Sequence, residues 1–230
     1  MQVVEREIKC DSVCAGPRVN VGRLLSVGHS NHEIDDFLQL LAGAGVTAVA
    51  DVRSHPSSQR LPQYNGVELE RKLCEHGIAY VFLGDLLGGR PDRPSMYDSE
   101  GRVDYWRVRA TQEFRQGLDR LTSGLEQHTI AMLCSEEDPL DCHRGLMIAP
   151  ALAERGASTS HLRGDGQIDS AAEFERRLMA ETKVGAGILD GLFAASISTE
   201  ERYQLLDEAY RRQAQRKAFR LRTDSSDDAE

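Results

Sequence analysis

The chain has 230 residues, of which 40% are hydrophobic, and a formal net charge of −9. Its length fits one domain with an appendage, and a core of that size needs no disulfide or metal to hold it together. The negative charge disfavours a general nucleic-acid-binding surface, because neutralising phosphates requires a basic face.

The cysteines and the apolar runs favour a reducing compartment. The chain has five cysteines, an odd number, and its first twenty residues contain no apolar signal-peptide core. No apolar run approaches the length of a membrane span. We therefore predict a cytoplasmic protein with free thiols and no membrane association.

Short apolar runs alternate with helical patterns through most of the chain. Apolar runs that predict β-strands cover residues 23–28, 46–52, 78–83 and 129–133, and residues 158–162 are a candidate fifth strand. Patterns that predict helices cover residues 32–44, 67–76, 105–125 and a stretch that ends near 155. Ser30 and Glu33 have the spacing of a capping box, which predicts the start of the first helix.

This alternation predicts an α/β fold with three layers, in which helices cover both faces of a mainly parallel central sheet. We place the core domain at residues 23–168, after an irregular lead-in over residues 1–22. Only helical patterns follow, among them a second capping-box spacing at Ser198 and Glu201, so residues 169–220 predict a helical C-terminal appendage. The last segment, 221–230, is acidic and predicts a disordered tail.

Polar residues collect where three of the predicted strands end. His29 and Asn31 follow the first strand, Asp51 and Arg53 close the second, and Cys134 ends the fourth. Because the carboxyl ends of parallel strands meet at one edge of a sheet, these side chains predict a shared site.

The segment after the fourth strand carries the densest chemistry. Asp138 suits the N-cap of a helix, which would place Cys142, His143 and Arg144 in the first turn. A helix start and a neighbouring arginine both favour a thiolate, so we predict Cys142 as the reactive thiol. Cys134 is the alternative, since a strand end holds a nucleophile well, although the three carboxylates after it raise its pKa.

Arginines are the candidate anion ligands. Arg144 is predicted to anchor an anion at the helix start, where backbone donors gather and its planar fork adds more. On this interpretation, replacing Arg144 with lysine would weaken ligand binding and leave the fold intact. Arg53 and Arg90 are further candidates, and Tyr64 and Asn65 are predicted to lie on a mobile loop that closes over the site.

These motifs resemble a protein family that is known only as a domain of unknown function, number 488. The matching segments are Ser26–Asn31, Asp51–Pro56, Pro62–Asn65, Leu87–Pro91, Cys134–Glu136, Asp141–Arg144 and Glu208–Gln213. The resemblance covers roughly residues 23–163 together with the last of these segments. It implies an α/β fold and a site at these residues, whereas the family's name implies no activity.

A looser likeness is to rhodanese domains, in which an early strand ends in Asp-Val-Arg and a later one in the catalytic cysteine. Asp51, Val52 and Arg53 match the first feature and Cys134 matches the second. Such enzymes close a short loop of backbone donors on an arginine, but here Arg144 comes ten residues after the cysteine. The carboxylates in between would repel thiosulfate or phosphate, which argues against simple sulfur transfer or phosphatase activity.

The function that we favour is an enzyme acting on a small anionic or nucleotide-like metabolite. The arginines would bind the anion, and His29 or His143 would serve as the acid or base. Cys134 or Cys142 would be the nucleophile. No cofactor is predicted on this interpretation.

Two alternatives use the same region of the sequence. A metal-binding protein would draw its ligands from His29, His55, Cys134, Cys142 and His143. A non-catalytic module would bind nucleotides or nucleic acid through the arginines and through stacking faces on Tyr64, Tyr97, Tyr105 and Trp106.

Overall fold

The structure is a computed structural model that describes residues 22–186 and 198–221. The strands are β1 (Leu24–Gly28), β2 (Ala48–Asp51), β3 (Ala79–Phe82), β4 (Ile130–Cys134), β5 (Thr159–Leu162) and β6 (Ile168–Asp169). The α-helices are α1 (Ile34–Gly43), α2 (Gly66–Glu75), α3 (Gly84–Leu87), α4 (Tyr105–Arg109), α5 (Gln112–Gly124), α6 (Ala149–Ala153), α7 (Ala171–Thr182) and α8 (Thr199–Lys217). Short 3₁₀ segments cover Pro62–Tyr64, Pro94–Met96 and Pro139–Asp141, and a π-helical turn covers Arg144–Ile148.

One six-stranded sheet organises the described part of the chain, with the strand order β3-β2-β4-β1-β5-β6. The first five strands are parallel, whereas β6 runs antiparallel to β5. Every residue of the two central strands, β1 and β4, is buried. The predicted α/β fold with a mainly parallel sheet is therefore confirmed, and β6, a strand that was not predicted, spans the expected boundary between the core domain and the helical appendage.

Apolar side chains pack in separate clusters on the two faces of the sheet. On one face, Val27 of β1 lies in a cluster with Phe37 of α1 and Leu73 of α2. On the other face, Met132 of β4 lies in a cluster with Leu121 of α5 and with residues of α6, α7 and α8. Burying one such side chain stabilises the fold by roughly 1.5–3 kcal/mol, which explains why the central strands are apolar on both sides.

The chain leaves the two central strands towards opposite faces of the sheet. After β1 it continues into α1 on one face, and after β4 it continues through short helical turns into α6 on the other. The carboxyl ends of β1 and β4 therefore border a crevice, as at the switch point of other parallel sheets. The register of the two strands places Gly28 opposite Cys134 at this crevice.

The first helix does not start as the sequence predicts. α1 begins at Ile34, and Glu33 before it makes no side-chain capping bond. Ser30 has a φ of 46°, and its N–H donates to the carbonyl of Ser135 at 2.9 Å. The predicted capping box is therefore wrong, because Ser30 continues the pairing of β1 with the chain after β4.

The single helix predicted over residues 105–125 is two helices in the structure. α4 ends at Arg109, and the hydroxyl of Thr111 accepts a hydrogen bond from the N–H of Phe114 at 3.2 Å. This hydroxyl satisfies one of the donors that the start of a helix leaves without a partner, so the chain begins α5 there.

The segment after β4 also differs from the prediction. Asp138 does cap a helical turn, by accepting from the Leu140 N–H at 2.9 Å, but this turn is one 3₁₀ segment. Cys142 follows it in an extended conformation, with φ −132° and ψ 144°, and helical structure resumes only after it. Cys142 therefore precedes a helix and does not lie in a first helical turn.

The two C-terminal helices pack on the second face of the sheet. Phe174 and Leu178 of α7 and Ala209 and Ala214 of α8 are buried in that cluster. Each helix starts with a capping box, and the box of α8, formed by Ser198 and Glu201, is the predicted one. The lead-in up to residue 21 and the acidic tail from residue 222 lie outside the described residues.

Within the described ranges, no helix combines the length and the apolar character that crossing a membrane requires.

A buried side chain ties α8 to the segment after β4. Gln213 is 1% exposed, and its Nε2 donates to the Leu140 carbonyl at 3.1 Å. One turn later, Lys217 pairs with Asp141 at 2.9 Å. The C-terminal helix therefore supports the loop that carries Cys142.

We predict that Gln213→Ala lowers the free energy of unfolding by about 1–3 kcal/mol, because the buried carbonyl of Leu140 loses its donor. The matched control is Gln204→Ala, on an exposed face of the same helix. This substitution should change the free energy of unfolding by less than about 0.5 kcal/mol. Denaturant unfolding followed by circular dichroism measures both values. Equal effects of the two substitutions would show that the bond to Leu140 contributes nothing.

Candidate functional site

Three strand ends meet at the crevice between β1 and β4. The N–H of His29 donates to the Cys134 carbonyl at 2.9 Å. On the other side of β4, the N–H of Val52 donates to the Leu133 carbonyl at 3.1 Å, which places Arg53 next to the same edge. The structure therefore brings His29, Arg53 and Cys134 together, as the sequence predicts.

Cys134, Cys142 and His143 form the centre of this site, and we call them the cysteine–histidine cluster. The Nδ1 atom of His143 lies 3.7 Å from the sulfur of Cys134 and 3.6 Å from the sulfur of Cys142. The three residues are 5%, 2% and 7% exposed. Their sulfur and nitrogen atoms lie within 4.8 Å of one another, so these three residues could hold one metal ion.

A backbone carbonyl fixes the orientation of the His143 imidazole. The Nε2 atom lies 3.0 Å from the carbonyl oxygen of Val52. A carbonyl oxygen only accepts, so Nε2 is the donor in this pair. In the neutral ring, Nδ1 therefore presents its lone pair to the two sulfur atoms.

The surrounding groups shift the pKa values of the two thiols in opposite directions. Although burial opposes it, the Cys134 thiol, Arg144 and His143 together hold the pKa of Cys142 well below its ordinary value. The pKa of Cys134 lies well above its ordinary value, because of its contact with Cys142 and then its burial. Cys134 donates to Oε2 of Glu136 at 2.9 Å and keeps its proton. The neighbouring cations, rather than a helical first turn, thus favour Cys142 as the thiolate.

Arg144 lies beneath the site, with 0% of the residue exposed. Its Nη1 and Nη2 donate to the carbonyls of Glu136 and Glu137, each at 2.7 Å, and its Nε donates to the Ser26 hydroxyl at 3.3 Å. The predicted anion anchor is thus occupied by the protein's own backbone. From these contacts we expect a lysine replacement to disturb the fold as well, because an ammonium group cannot reproduce the planar fork of the guanidinium.

Arg53 is part of a buried network beside the cluster. It binds Asp51 through two bonds, from Nε to Oδ1 at 2.9 Å and from Nη2 to Oδ2 at 2.6 Å. Its Nη1 lies 3.3 Å from Nε2 of His29. Burial and the nearby Arg53 lower the pKa of His29 to about 4, so this imidazole is neutral at pH 7. Tyr80 donates to Asp51 at 2.9 Å, and the ring of Tyr64 stacks on His29 at 4.1 Å.

The loop predicted to close over the site is partly core. Tyr64 is fully buried, and its hydroxyl donates to the carbonyl of His32 at 3.0 Å. Asn65 accepts from the N–H of Ser58 at 2.6 Å, a bond that joins two ends of the loop. Asn31 is exposed, and its Oδ1 accepts from the hydroxyl of Ser30 next to it.

The five candidate metal ligands reduce to three. His55 is exposed and outside the cluster. His29 directs Nδ1 to the carbonyl of Ser30 at 2.9 Å and Nε2 to Arg53, so neither of its nitrogens joins the sulfur atoms.

The expected stacking surface is wrong for two of its four aromatic residues. Tyr64 and Tyr105 are buried in the core. Trp106 is partly buried, and the Arg211 guanidinium covers its ring at 4.2 Å. The hydroxyl of Tyr97 donates to the carbonyl of Pro91 at 2.7 Å. These positions remove the main support for base stacking as the function.

Two contributors to the site escape sequence reasoning. Glu136 figured only as a repulsive charge, yet it accepts the hydrogen bond of Cys134. Gly89 packs against the imidazole of His143, and a Cβ atom there would lie 2.7 Å from the His143 Cγ. The pair Gly88-Gly89 was the only sequence signal for this contact, and nothing in its spacing indicated which side chain it would meet.

Comparison with known proteins supports the family resemblance. The family model described as a domain of unknown function, DUF488, matches residues 33–149. No curated protein and no solved structure matches the chain. The looser likeness to rhodanese domains therefore finds no support.

We predict that Arg144→Lys lowers the free energy of unfolding by about 2–4 kcal/mol, because two buried carbonyls lose their donors. The control is Arg155→Lys, an exposed residue paired with Asp119, whose effect should stay within about 0.5 kcal/mol. Thermal and denaturant unfolding measure both. Wild-type stability of Arg144→Lys would mean that this guanidinium does not hold the loop.

Proposed function

Because the chain belongs to the DUF488 family, whose description names no activity, we propose its function from the geometry of the site. The protein is an enzyme that acts on a small anionic metabolite, and the cysteine–histidine cluster is its reactive centre. The observation that carries this proposal is the imidazole of His143, which lies within 3.7 Å of two buried sulfur atoms while a backbone carbonyl holds its other nitrogen.

The composition of the buried site supports an enzyme. Two thiols, the imidazoles of His29 and His143, the Asp51 carboxylate and two guanidinium groups are all buried at this site. Apolar side chains of similar volume would be at least as stable there, since desolvating charges is costly. Strongly shifted pKa values of the kind found for Cys134 and Cys142 cluster at functional sites. The position at the switch point of the sheet is where ligands of parallel α/β proteins bind.

Arg90 supports an anionic substrate. Arg53 and Arg144 use their guanidinium groups on Asp51 and on backbone carbonyls. Arg90 is exposed and lies over the Phe219 ring at 4.6 Å, and within the described residues its guanidinium makes no hydrogen bond or ion pair. It follows Gly89, which touches His143. Arg90 therefore offers free donors in the loop that packs against His143.

A thermal-shift screen of small metabolites tests the substrate class. The panel pairs phosphorylated, carboxylated and nucleotide compounds with neutral analogues at constant ionic strength. An anion present at 100 times its Kd should raise Tm by about 5–10 °C. The proposed substrate class is wrong if no anion shifts Tm, or if the neutral analogues shift it equally.

Substitutions of Arg90 and Cys142 then separate binding from catalysis. Arg90→Gln should weaken the identified anion about 10-fold, whereas Arg93→Gln, in the same loop but paired with Glu113, should leave its affinity unchanged. Cys142→Ser should slow conversion of that compound at least about 100-fold, measured by mass spectrometry of the reaction mixture. Tight binding without any conversion would leave a binding protein in place of an enzyme.

A further inference from the structure

We infer that the cysteine–histidine cluster binds one divalent transition-metal ion of the zinc class. The inference shares its site with the proposed function but does not depend on catalysis, because an ion can be held whether or not a substrate is turned over. It rests on the spacing of the three donor atoms, on the orientation of the imidazole and on the chemistry of the donors.

The spacing of the donors matches a tetrahedral site. Zinc lies about 2.3 Å from a cysteine sulfur and 2.0–2.1 Å from a histidine nitrogen, so a tetrahedral angle separates the sulfur from the nitrogen by about 3.6 Å. The Nδ1 atom of His143 lies 3.7 Å from the sulfur of Cys134 and 3.6 Å from that of Cys142. One nitrogen therefore stands at the expected distance from both sulfur atoms at once.

The imidazole is oriented as a metal ligand. A histidine that binds a metal through one nitrogen usually donates the hydrogen of its other nitrogen to a carbonyl or carboxylate. The Nε2 atom of His143 meets the Val52 carbonyl at 3.0 Å, so Nδ1 is the nitrogen that faces the sulfur atoms and that becomes a ligand when its proton leaves. The close approach of Gly89 keeps the ring in this position.

The donor types select the ion. Thiolate and imidazole ligands suit zinc and similar transition metals, whereas magnesium and calcium prefer oxygen. The guanidinium of Arg144, buried beneath the cluster, offsets part of the negative charge that two thiolates bring. The proton that Cys134 shares with Glu136 leaves when the ion binds, so binding weakens as the pH falls.

The fourth position is left open. Glu136 lies beside it, but its Oε2 is 2.9 Å from the sulfur of Cys134, closer than the roughly 3.6 Å expected between two ligands of one tetrahedral ion. Two cysteines and a histidine with an open position form a ligand set that is used by catalytic zinc sites. A bound ion would supply a Lewis acid at that position, next to the loop that carries Arg90.

Cobalt binding to the wild-type full-length chain is the primary test. The protein is stripped with a chelator under reducing conditions and then titrated with Co²⁺, which reports its ligands by its absorption. We expect one ion per chain, a thiolate-to-cobalt charge-transfer band and the intense visible bands of a four-coordinate site, all removed by one equivalent of Zn²⁺. Absence of the charge-transfer band with excess Co²⁺ would overturn the inference.

Matched variants identify the ligands. Cys134→Ser, Cys142→Ser and His143→Asn should each weaken Zn²⁺ binding by more than the roughly 10–100-fold that loss of an outer hydrogen-bond partner costs. The controls are Cys74→Ser on α2 and His55→Asn, both at exposed positions, which should bind as the wild type does. Equal affinities for the site variants and the controls would place the ion elsewhere. If a site variant does not fold, the wild-type cobalt spectrum decides alone.

The test also distinguishes a redox pair from a metal site. Mass spectrometry without reductant would detect a Cys134–Cys142 disulfide, and such a bond together with no cobalt binding after reduction would overturn the inference. A negative metabolite screen leaves the cobalt spectrum unaffected, and a missing cobalt spectrum leaves the screen unaffected. The failure of one proposal can therefore be told apart from the failure of the other.

Discussion

The buried guanidinium of Arg144 is the constraint on which the site depends. It donates to the carbonyls of Glu136 and Glu137 and so folds the chain after β4 back over the end of its own strand. An unpaired buried carbonyl would cost about 1–3 kcal/mol, so this fold-back requires such a donor. The fold-back returns Cys142 to the side of Cys134, and it engages Nε, Nη1 and Nη2 of Arg144 with acceptors of the protein itself.

Burial of the remaining charges sets the chemistry of the crevice. Arg53 is held by Asp51, and burial together with the charge of Arg53 lowers the pKa of the neighbouring His29, which is therefore neutral at pH 7. Arg53, Asp51 and His29 form one side of the site. The cysteine–histidine cluster and Arg144 form the other side. The two sides meet at Val52, which leads into Arg53 and whose carbonyl orients His143. A single turn of backbone after β2 thus connects both networks.

Features that depend on residues close together in the sequence were predicted more accurately than features that depend on contacts between distant segments. The apolar runs predicted β1, β2 and β4, because a strand buried on both faces must be largely apolar. β3 and β5 were also predicted, although β3 is only half-buried and β5 carries polar residues. Of the two predicted capping boxes, only one is found in the structure. Ser198 caps α8, whereas the backbone of Ser30 pairs with the chain after β4. Tyr64 and Tyr105 were misassigned to the surface, because tyrosine suits both a core and a binding face.

For this protein, the sequence by itself determined the α/β fold, the strand ends that carry polar residues and the placement of His29, Arg53 and Cys134 at one edge of the sheet. These follow from strand polarity and from the geometry of parallel sheets. Only the tertiary structure decided what Arg144 binds, which histidine faces the two sulfur atoms and which arginine keeps its donors free. Those outcomes depend on how loops from distant parts of the chain pack together, and the order of residues along the chain does not record that packing.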